Sequence, residues 1–342
     1  MGIAEIPRRF LRKYLRKHGY RVEHLSNEEW QYLEQLVDDS VPVPAGVEER
    51  LRQSHPRLLQ IEQRYDKLDI PARVHSRWNT EIIRDWVTPS HFRGDTPYVW
   101  HYRERRSTTS LKYFVYLKDV EQRDHRGLLK TLTEDGQFGC WTWEFPGHPR
   151  ISRDLLDSIT EISFLDRNLK LFERKGLRVL DIGAGYGRLA HRVCSSGLDI
   201  ASYVCCDAVP MSSFLCEYYL EYRKLSPPAR VCLLDEVDQL EPGCFDLAFN
   251  VHSFSECTHA AIAWWIGQLK RLKVPYLFLI PNEGDQLLST ESNEGKVRRD
   301  FSGLLDDAGY RRIKADYVVG DAAARELVAN PDQMLLYKLD GA

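Results

Sequence analysis

Two short stretches hold the residues whose types and spacing suit chemistry. In VLDIGAGYGRLAHRV an apolar run ends in Asp181, glycines alternate at Gly183, Gly185 and Gly187, and a helical pattern follows at once. Glycine lets a backbone turn tightly and approach a ligand closely, and the start of a helix offers free N–H groups, so this stretch reads as a nucleoside or dinucleotide pocket. In NVHSFSEC a histidine and a carboxylate, His252 and Glu256, flank two serines, Ser253 and Ser255. Imidazole is neutral near pH 7 and suits a general base.

The glycine spacing narrows the ligand. A G-x-G-x-x-G loop suits a pyrophosphate resting on the helix start. Here the third glycine comes one residue early and an acidic residue precedes the first, which favours S-adenosyl-L-methionine over a dinucleotide. The expected cofactor set is Asp181, Gly183, Ala184, Gly185, Tyr186 and Gly187, with Asn250 from the fourth strand. Asp207, at the end of the second strand and next to Ala208, can accept from both ribose hydroxyls. Asp235 and Glu236, after the third strand, read equally as partners of an adenine edge or as caps of the next helix.

The carboxyl end of the fourth strand is where an acceptor would meet that cofactor. His252 is the expected base there; a histidine bonded structurally at a strand end is the plainer reading. Glu256 is expected to orient His252 or bind the acceptor rather than act as base, and the serines equally suit capping of the helix nearby. His259, one helical turn beyond Glu256, reads as an acceptor contact or a surface histidine. Tyr98, Trp100, His101 and Arg103 mix flat faces with hydrogen-bonding groups, as an acceptor site needs, although core packing explains the aromatics as well. Arg153 and Asp154 either close over the ligand or form an ion pair at a helix start. Asp235, Glu236 and Asp238 could suggest magnesium, but a single local cluster reads as solvated loop, and no metal is expected.

The elements that must position these groups are legible as period. Apolar runs at 177–183, 201–207, 229–235, 245–252, 274–281, 310–319 and 333–339 are strands, with helical patterns between the first six. Only DAAARELVANPD joins the last two, so that pair is expected to be antiparallel. Leu155, Ile159, Ile162, Leu165, Leu169 and Phe172 mark an amphipathic helix capped by Ser152 and ended by Gly176. The expected fold is α/β: a doubly wound, mostly parallel seven-stranded sheet with a reversed edge strand, at 151–342. Residues 1–150, broken by Pro42, Pro44 and Pro56, read as a separate, mostly helical domain that binds the acceptor or acts as a lid.

Bulk properties remove other classes. The formal charge of -3 supplies no basic field for a polyphosphate backbone, so nucleic acid is not an expected partner. No apolar run approaches the roughly 20 residues of a membrane span, and the first residues lack a signal-peptide core, which together point to the cytoplasm. Phe10, Leu11, Tyr14 and Leu15 recur among Arg and Lys at helical spacing; a solvated helix packing on its own domain is favoured over one lying on an anionic membrane. The eight cysteines form no C-x-x-C pair and read as reduced core thiols, and no His and Cys set has zinc spacing.

DIGAGYG and the reversed last strand pair resemble the seven-stranded, Rossmann-like class I S-adenosylmethionine-dependent methyltransferases. FRGDTPYVW (92–100), SRDLLDSITEI (152–162), LDIGAGYGRLAHR (180–192) and NVHSFSE (250–256) together are similar to the bacterial sugar O-methyltransferases that include the nanchangmycin deoxysugar enzyme. Cys257 and Thr258 depart from that pattern, where an apolar pair is expected. The resemblance implies methylation of a sugar hydroxyl without a metal, with a glycan, nucleotide sugar or glycoside as acceptor and a homo-oligomer among the assemblies open to it. The alternatives are a small-molecule N-methyltransferase of the same fold and a non-catalytic binding protein.

Overall fold

The computed structural model describes residues 41–74, 77–78, 80–94, 107–292 and 296–341. The basic segment around Phe10 to Leu15 and the residues Tyr98, Trp100, His101 and Arg103 lie outside them.

Seven strands form one sheet: β1 (Leu177–Ile182), β2 (Ile200–Cys206), β3 (Ala229–Val231), β4 (Leu247–Val251), β5 (Tyr276–Ile280), β6 (Tyr310–Tyr317) and β7 (Gln333–Leu339). Their order is β3-β2-β1-β4-β5-β7-β6. The first five run parallel, while β7 pairs antiparallel with both β5 and β6. The reversed strand thus belongs to an antiparallel edge pair, with β6 outermost. The chain between β6 and β7 makes the short helix Ala322–Val328, capped by Asp321, which accepts from Ala324 N at 2.8 Å.

Parallel strands are covered on both faces, so both parities of their sequence are apolar. In β1, Leu180 and Ile182 enter one core, and Leu177 and Val179 the other. The helices that cover the sheet include α1 (Pro56–Tyr65), α2 (Ser107–Arg123), α3 (Arg153–Leu169), α4 (Arg188–Ser195), α5 (Pro210–Tyr222) and α6 (His259–Arg271).

Two element boundaries differ from the sequence reading. Among the described residues, those from 41 to 94 and from 108 to 341 belong to one compact unit. Leu58 and Ile61 of α1 enter the first core, and Tyr116 and Leu117 of α2 the second. These side chains are apolar because they join the cores that flank the sheet. The helix α3 starts as expected, with Ser152 Oγ accepting from Leu155 N at 3.1 Å. It stops at Leu169 rather than near Gly176, because Lys170 turns left-handed at φ 56° and a 3-10 turn, Leu171–Glu173, follows. The strand β3 ends at Val231, and Asp235 and Glu236 lie on a 3-10 helix, Leu234–Gln239.

Candidate functional site

The strand order reverses between β1 and β4, and a crevice opens at the carboxyl ends of strands flanking such a point. A cavity of about 480 Å³ lies there. Asp181, Gly183, Ala184 and Gly185 from the β1 loop line it, with Asp207 and Ala208 after β2 and His252 after β4.

Geometry explains the first glycine. Gly183 has φ +73°, and a Cβ there would sit 2.2 Å from Ser253 Oγ and 2.3 Å from Ser253 Cβ. The loops after β1 and β4 can touch only because that side chain is absent. Gly183→Ala is expected to destabilise the chain by about 2 kcal/mol or more, from a left-handed alanine plus a clash. Adding Ser253→Gly removes both contacts and should recover part of the loss in urea unfolding; no recovery would place the strain elsewhere. Gly187 does not line the cavity. It precedes α4 at φ +89°, and its missing Cβ lets Cys216 Sγ approach the position a Cβ would take to 3.0 Å.

Asp207 is the fixed carboxylate of the cavity. Its Oδ1 accepts from Val209 N at 2.8 Å and its Oδ2 from Gly185 N at 2.9 Å, so the loop after β1 and the start of α5 are both tied to it. Each oxygen keeps acceptor capacity for a ligand. Burial lifts the carboxyl to about 6, while the two N–H bonds hold it down. Asp181 accepts from Tyr203 Oη at 2.8 Å, and burial lifts it to about 7.

Asp235 and Glu236 do not reach the cavity. Arg64 of α1 donates to Asp235 Oδ2 at 2.7 Å and to Glu236 Oε1 at 2.8 Å, while Glu236 Oε2 accepts from Leu233 N at 3.1 Å. Of the two readings open for this pair, the structure supplies a cap, made by Glu236. Tyr65, also on α1, donates to Asp207 O at 3.0 Å and accepts from Leu234 N at 3.0 Å, clamping the ends of β2 and β3. No local pattern marks Tyr65, because its partners are far along the chain.

Beneath the glycine loop lies a buried ionic network. Arg93, fully buried, donates to Glu134 Oε2 at 2.8 Å and to Asp154 Oδ2 at 3.1 Å. Arg192 donates to Glu134 Oε2 at 2.6 Å. The Tyr186 hydroxyl donates to Asp154, and its ring packs on Phe92 and Tyr219. Tyr186, expected as a cofactor ligand, lines the cavity, and its hydroxyl is held by Asp154. Arg93 and Glu134 hold Glu134 and Arg93 charged in turn: the guanidinium groups of Arg93 and Arg192 keep the Glu134 carboxyl well below the usual carboxylate range despite burial. Four separate sequence stretches, around Arg93, Glu134, Asp154 and Tyr186, meet here.

Asn250, also expected at the cofactor, is fully buried. Its Nδ2 donates to Ile182 O at 2.9 Å and its Oδ1 accepts from Phe254 N at 2.9 Å. It ties the end of β4 to the end of β1 and to the 3-10 turn Ser253–Glu256, and it does not line the cavity.

On the β4 side, His252 takes a left-handed backbone at φ 64°, which costs a residue with a Cβ roughly 1–2 kcal/mol. The turn is held by His252 N donating to Ile280 O at 2.7 Å and by Ser255 N donating to His252 O at 3.0 Å. Asp332, on the loop before β7, comes within 3.5 Å of His252 Nε2 through its Oδ2. Glu256 has other company: Trp78 Nε1 donates to it at 2.6 Å and Asn282 Nδ2 at 3.2 Å. The carboxylate beside the imidazole is therefore Asp332, where Glu256 was expected. Trp78, Asn282 and Asp332 were not legible as site residues, since each reaches the cavity from a distant segment.

Arg153 lines the cavity and forms an ion pair with Asp157 at 3.2 Å. His259 does not line it; its backbone N–H donates to Glu291 Oε1 at 2.8 Å at the start of α6. That helix is capped by Thr258 Oγ1, which accepts from Ala261 N at 3.2 Å. Thr258, which departs from the resembled pattern, has this local reason, and the cap is neither Ser253 nor Ser255. Among the described residues no cluster of three or more His, Cys, Asp or Glu could hold a metal ion. No helix among them is long and apolar enough to cross a membrane.

The strand order, the antiparallel edge pair and the flanking helices define an α/β fold with a seven-stranded, mostly parallel sheet. No family model matches the chain, and no curated protein matches it. Solved structures do. A SAM-dependent methyltransferase from Aquifex aeolicus is 19% identical over 51% of this chain and 87% of its own, with a TM-score of 0.38. The [4+2]-cyclase SpnF is 16% identical over 67% of this chain and 95% of its own, with a TM-score of 0.40. Phosphoethanolamine N-methyltransferase 2 of Haemonchus contortus, solved with S-adenosyl-L-methionine, is 14% identical over 52% of each chain, with a TM-score of 0.37.

Proposed function

We propose that the chain is an S-adenosylmethionine-dependent O-methyltransferase acting on a sugar hydroxyl. One observation carries the reading: a single cavity joins the glycine loop and the Asp207 carboxylate to His252 and Glu256. Asp207 would accept from the ribose hydroxyls, and the loop after β1 would hold the rest of the nucleoside. The cofactor supplies a methyl carbon activated by a sulfonium. His252 takes the proton of the attacking hydroxyl as the new O–C bond forms and the C–S bond breaks, leaving S-adenosylhomocysteine. Glu256, held by Trp78 and Asn282, binds a further hydroxyl. Aligning the reactants and excluding water are the main tasks for such an in-line displacement.

The sugar assignment rests on the motif resemblance and on Trp78 beside the hydrogen-bonding Glu256 and Asn282. A second reading, transfer to an amine, is favoured by the carboxylates Asp157, Glu256, Glu283 and Asp332 on the cavity wall, which suit a cationic acceptor.

Calorimetric binding of S-adenosylhomocysteine tests the cofactor assignment. Micromolar binding is expected, with Asp207→Ala weakening it by about 100-fold through two lost charge-assisted hydrogen bonds. Because Asp207 has its carboxyl near 6, wild-type affinity should hold above pH 7 and fall toward pH 5, approaching tenfold per unit as the carboxylate is protonated. Asp207→Asn should flatten that slope. No binding at any pH would leave a fold without this cofactor.

A further inference from the structure

We infer that Asp332 is the positioning residue of the base: it fixes the His252 tautomer with the proton on Nε2, so that Nδ1 is the nitrogen that takes the acceptor proton. This rests on the methyl-transfer reading of the same cavity.

Asp332 is 9% exposed and lines the cavity with His252. Its Oδ2 is 3.5 Å from His252 Nε2, and its buried Oδ1 has no hydrogen-bond partner among the described residues. A buried carboxylate oxygen without a partner is costly unless a ligand or the facing imidazole supplies a donor. A carboxylate is an acceptor only, so the ring nitrogen facing it must carry the hydrogen. Such contacts are often long before ligands bind and tighten in the complex.

The loop is built to hold the carboxylate in place. Asp332 N donates to Asn330 Oδ1 at 3.0 Å, and Val318 N donates to Asp332 O at 2.9 Å. On the other side, the left-handed turn at His252 is pinned to Ile280. Backbone bonds thus hold both loops in place, with the Asp332 carboxylate facing the imidazole. A neutral imidazole offers one donor and one acceptor nitrogen; with Nε2–H committed to Asp332, the lone pair lies on Nδ1. This is the arrangement by which a third group orients a catalytic base.

The tautomer can be read without knowing the acceptor. The full chain is labelled with ring-¹⁵N histidine, and long-range ¹H–¹⁵N spectra are recorded at about pH 8, above the ordinary imidazole range. His252→Gln identifies the signal. Wild type should show a pyrrole-type Nε2 and a pyridine-type Nδ1. In Asp332→Ala and in Asp332→Ser, whose hydroxyl is too short to reach the ring, the two shifts should converge as tautomers exchange, while S-adenosylhomocysteine affinity stays within about twofold, since neither variant touches Asp207. An unchanged tautomer in a variant that still binds the nucleoside would overturn the assignment, and so would loss of the fold in both variants, which would make Asp332 structural. If wild type itself fails to bind S-adenosylhomocysteine, the methyl-transfer reading falls, and the tautomer spectra still decide the contact.

Discussion

Replacing His252 by alanine is expected to slow methyl transfer by about 10²- to 10⁴-fold, the range for losing a positioned general base. The affinity for S-adenosylhomocysteine should stay within about twofold, because His252 contacts Asp332 and the β5 end rather than Asp207. The physical reason is specific to an oxygen acceptor. A sugar hydroxyl is a poor nucleophile while it keeps its proton, and the loss of the base leaves no positioned imidazole to take it. An amine presents its lone pair directly once neutral. Turnover on the acceptor that wild type methylates is the measurement. A reduction of less than about threefold would remove His252 from the base role, and activity retained on amines with none on sugars would move the chain to the second reading. Glu256→Gln should act mainly on the acceptor KM, since Glu256 is held by Trp78 and Asn282, not by the imidazole.

The second large effect is on the fold. Arg93→Met is expected to cost about 3–5 kcal/mol in urea unfolding, because removing one member of a buried ion set leaves the others charged and unpaired. Arg93 is fully buried against Glu134 and Asp154, and Arg192 then serves Glu134 alone. The double variant Arg93→Met with Glu134→Gln should lose less than the sum of the single losses, since the pair interacts directly. What remains folded should also bind S-adenosylhomocysteine more weakly, because the network reaches the cofactor loop through Asp154 and Tyr186. A cost below about 1 kcal/mol would mean that Met fills the site and the charges contribute little, as some buried ion pairs do.

The sequence by itself determined the parts whose cause is local. The seven strands and the amphipathic α3 appear because apolar period follows from which faces are covered, and that period is written along a short stretch of chain. The same holds for the glycine loop: Gly183 at φ +73° needs no Cβ, so its identity announces the turn. Asp207 was legible because a strand end places it at a fixed position relative to that loop, and the antiparallel last pair because too little chain joins β6 to β7 for a full crossover.

Only the tertiary structure decided which side chains meet. Asp235 and Glu236 have the right type for a cofactor contact, but Arg64, from a helix far earlier in the chain, takes both. Asn250 stands where a ligand contact was expected; it bonds to Ile182 and Phe254 and does not line the cavity. Glu256, near His252 in sequence, turns to Trp78 and Asn282, while the carboxylate that does reach His252 comes from the loop before β7. Leu58 and Ile61, and Tyr116 and Leu117, from the early part of the chain, enter the two cores that flank the sheet. In each case the pairing depends on how distant segments pack, and a hydrogen bond between residues far apart leaves no period or spacing in either segment to reveal it.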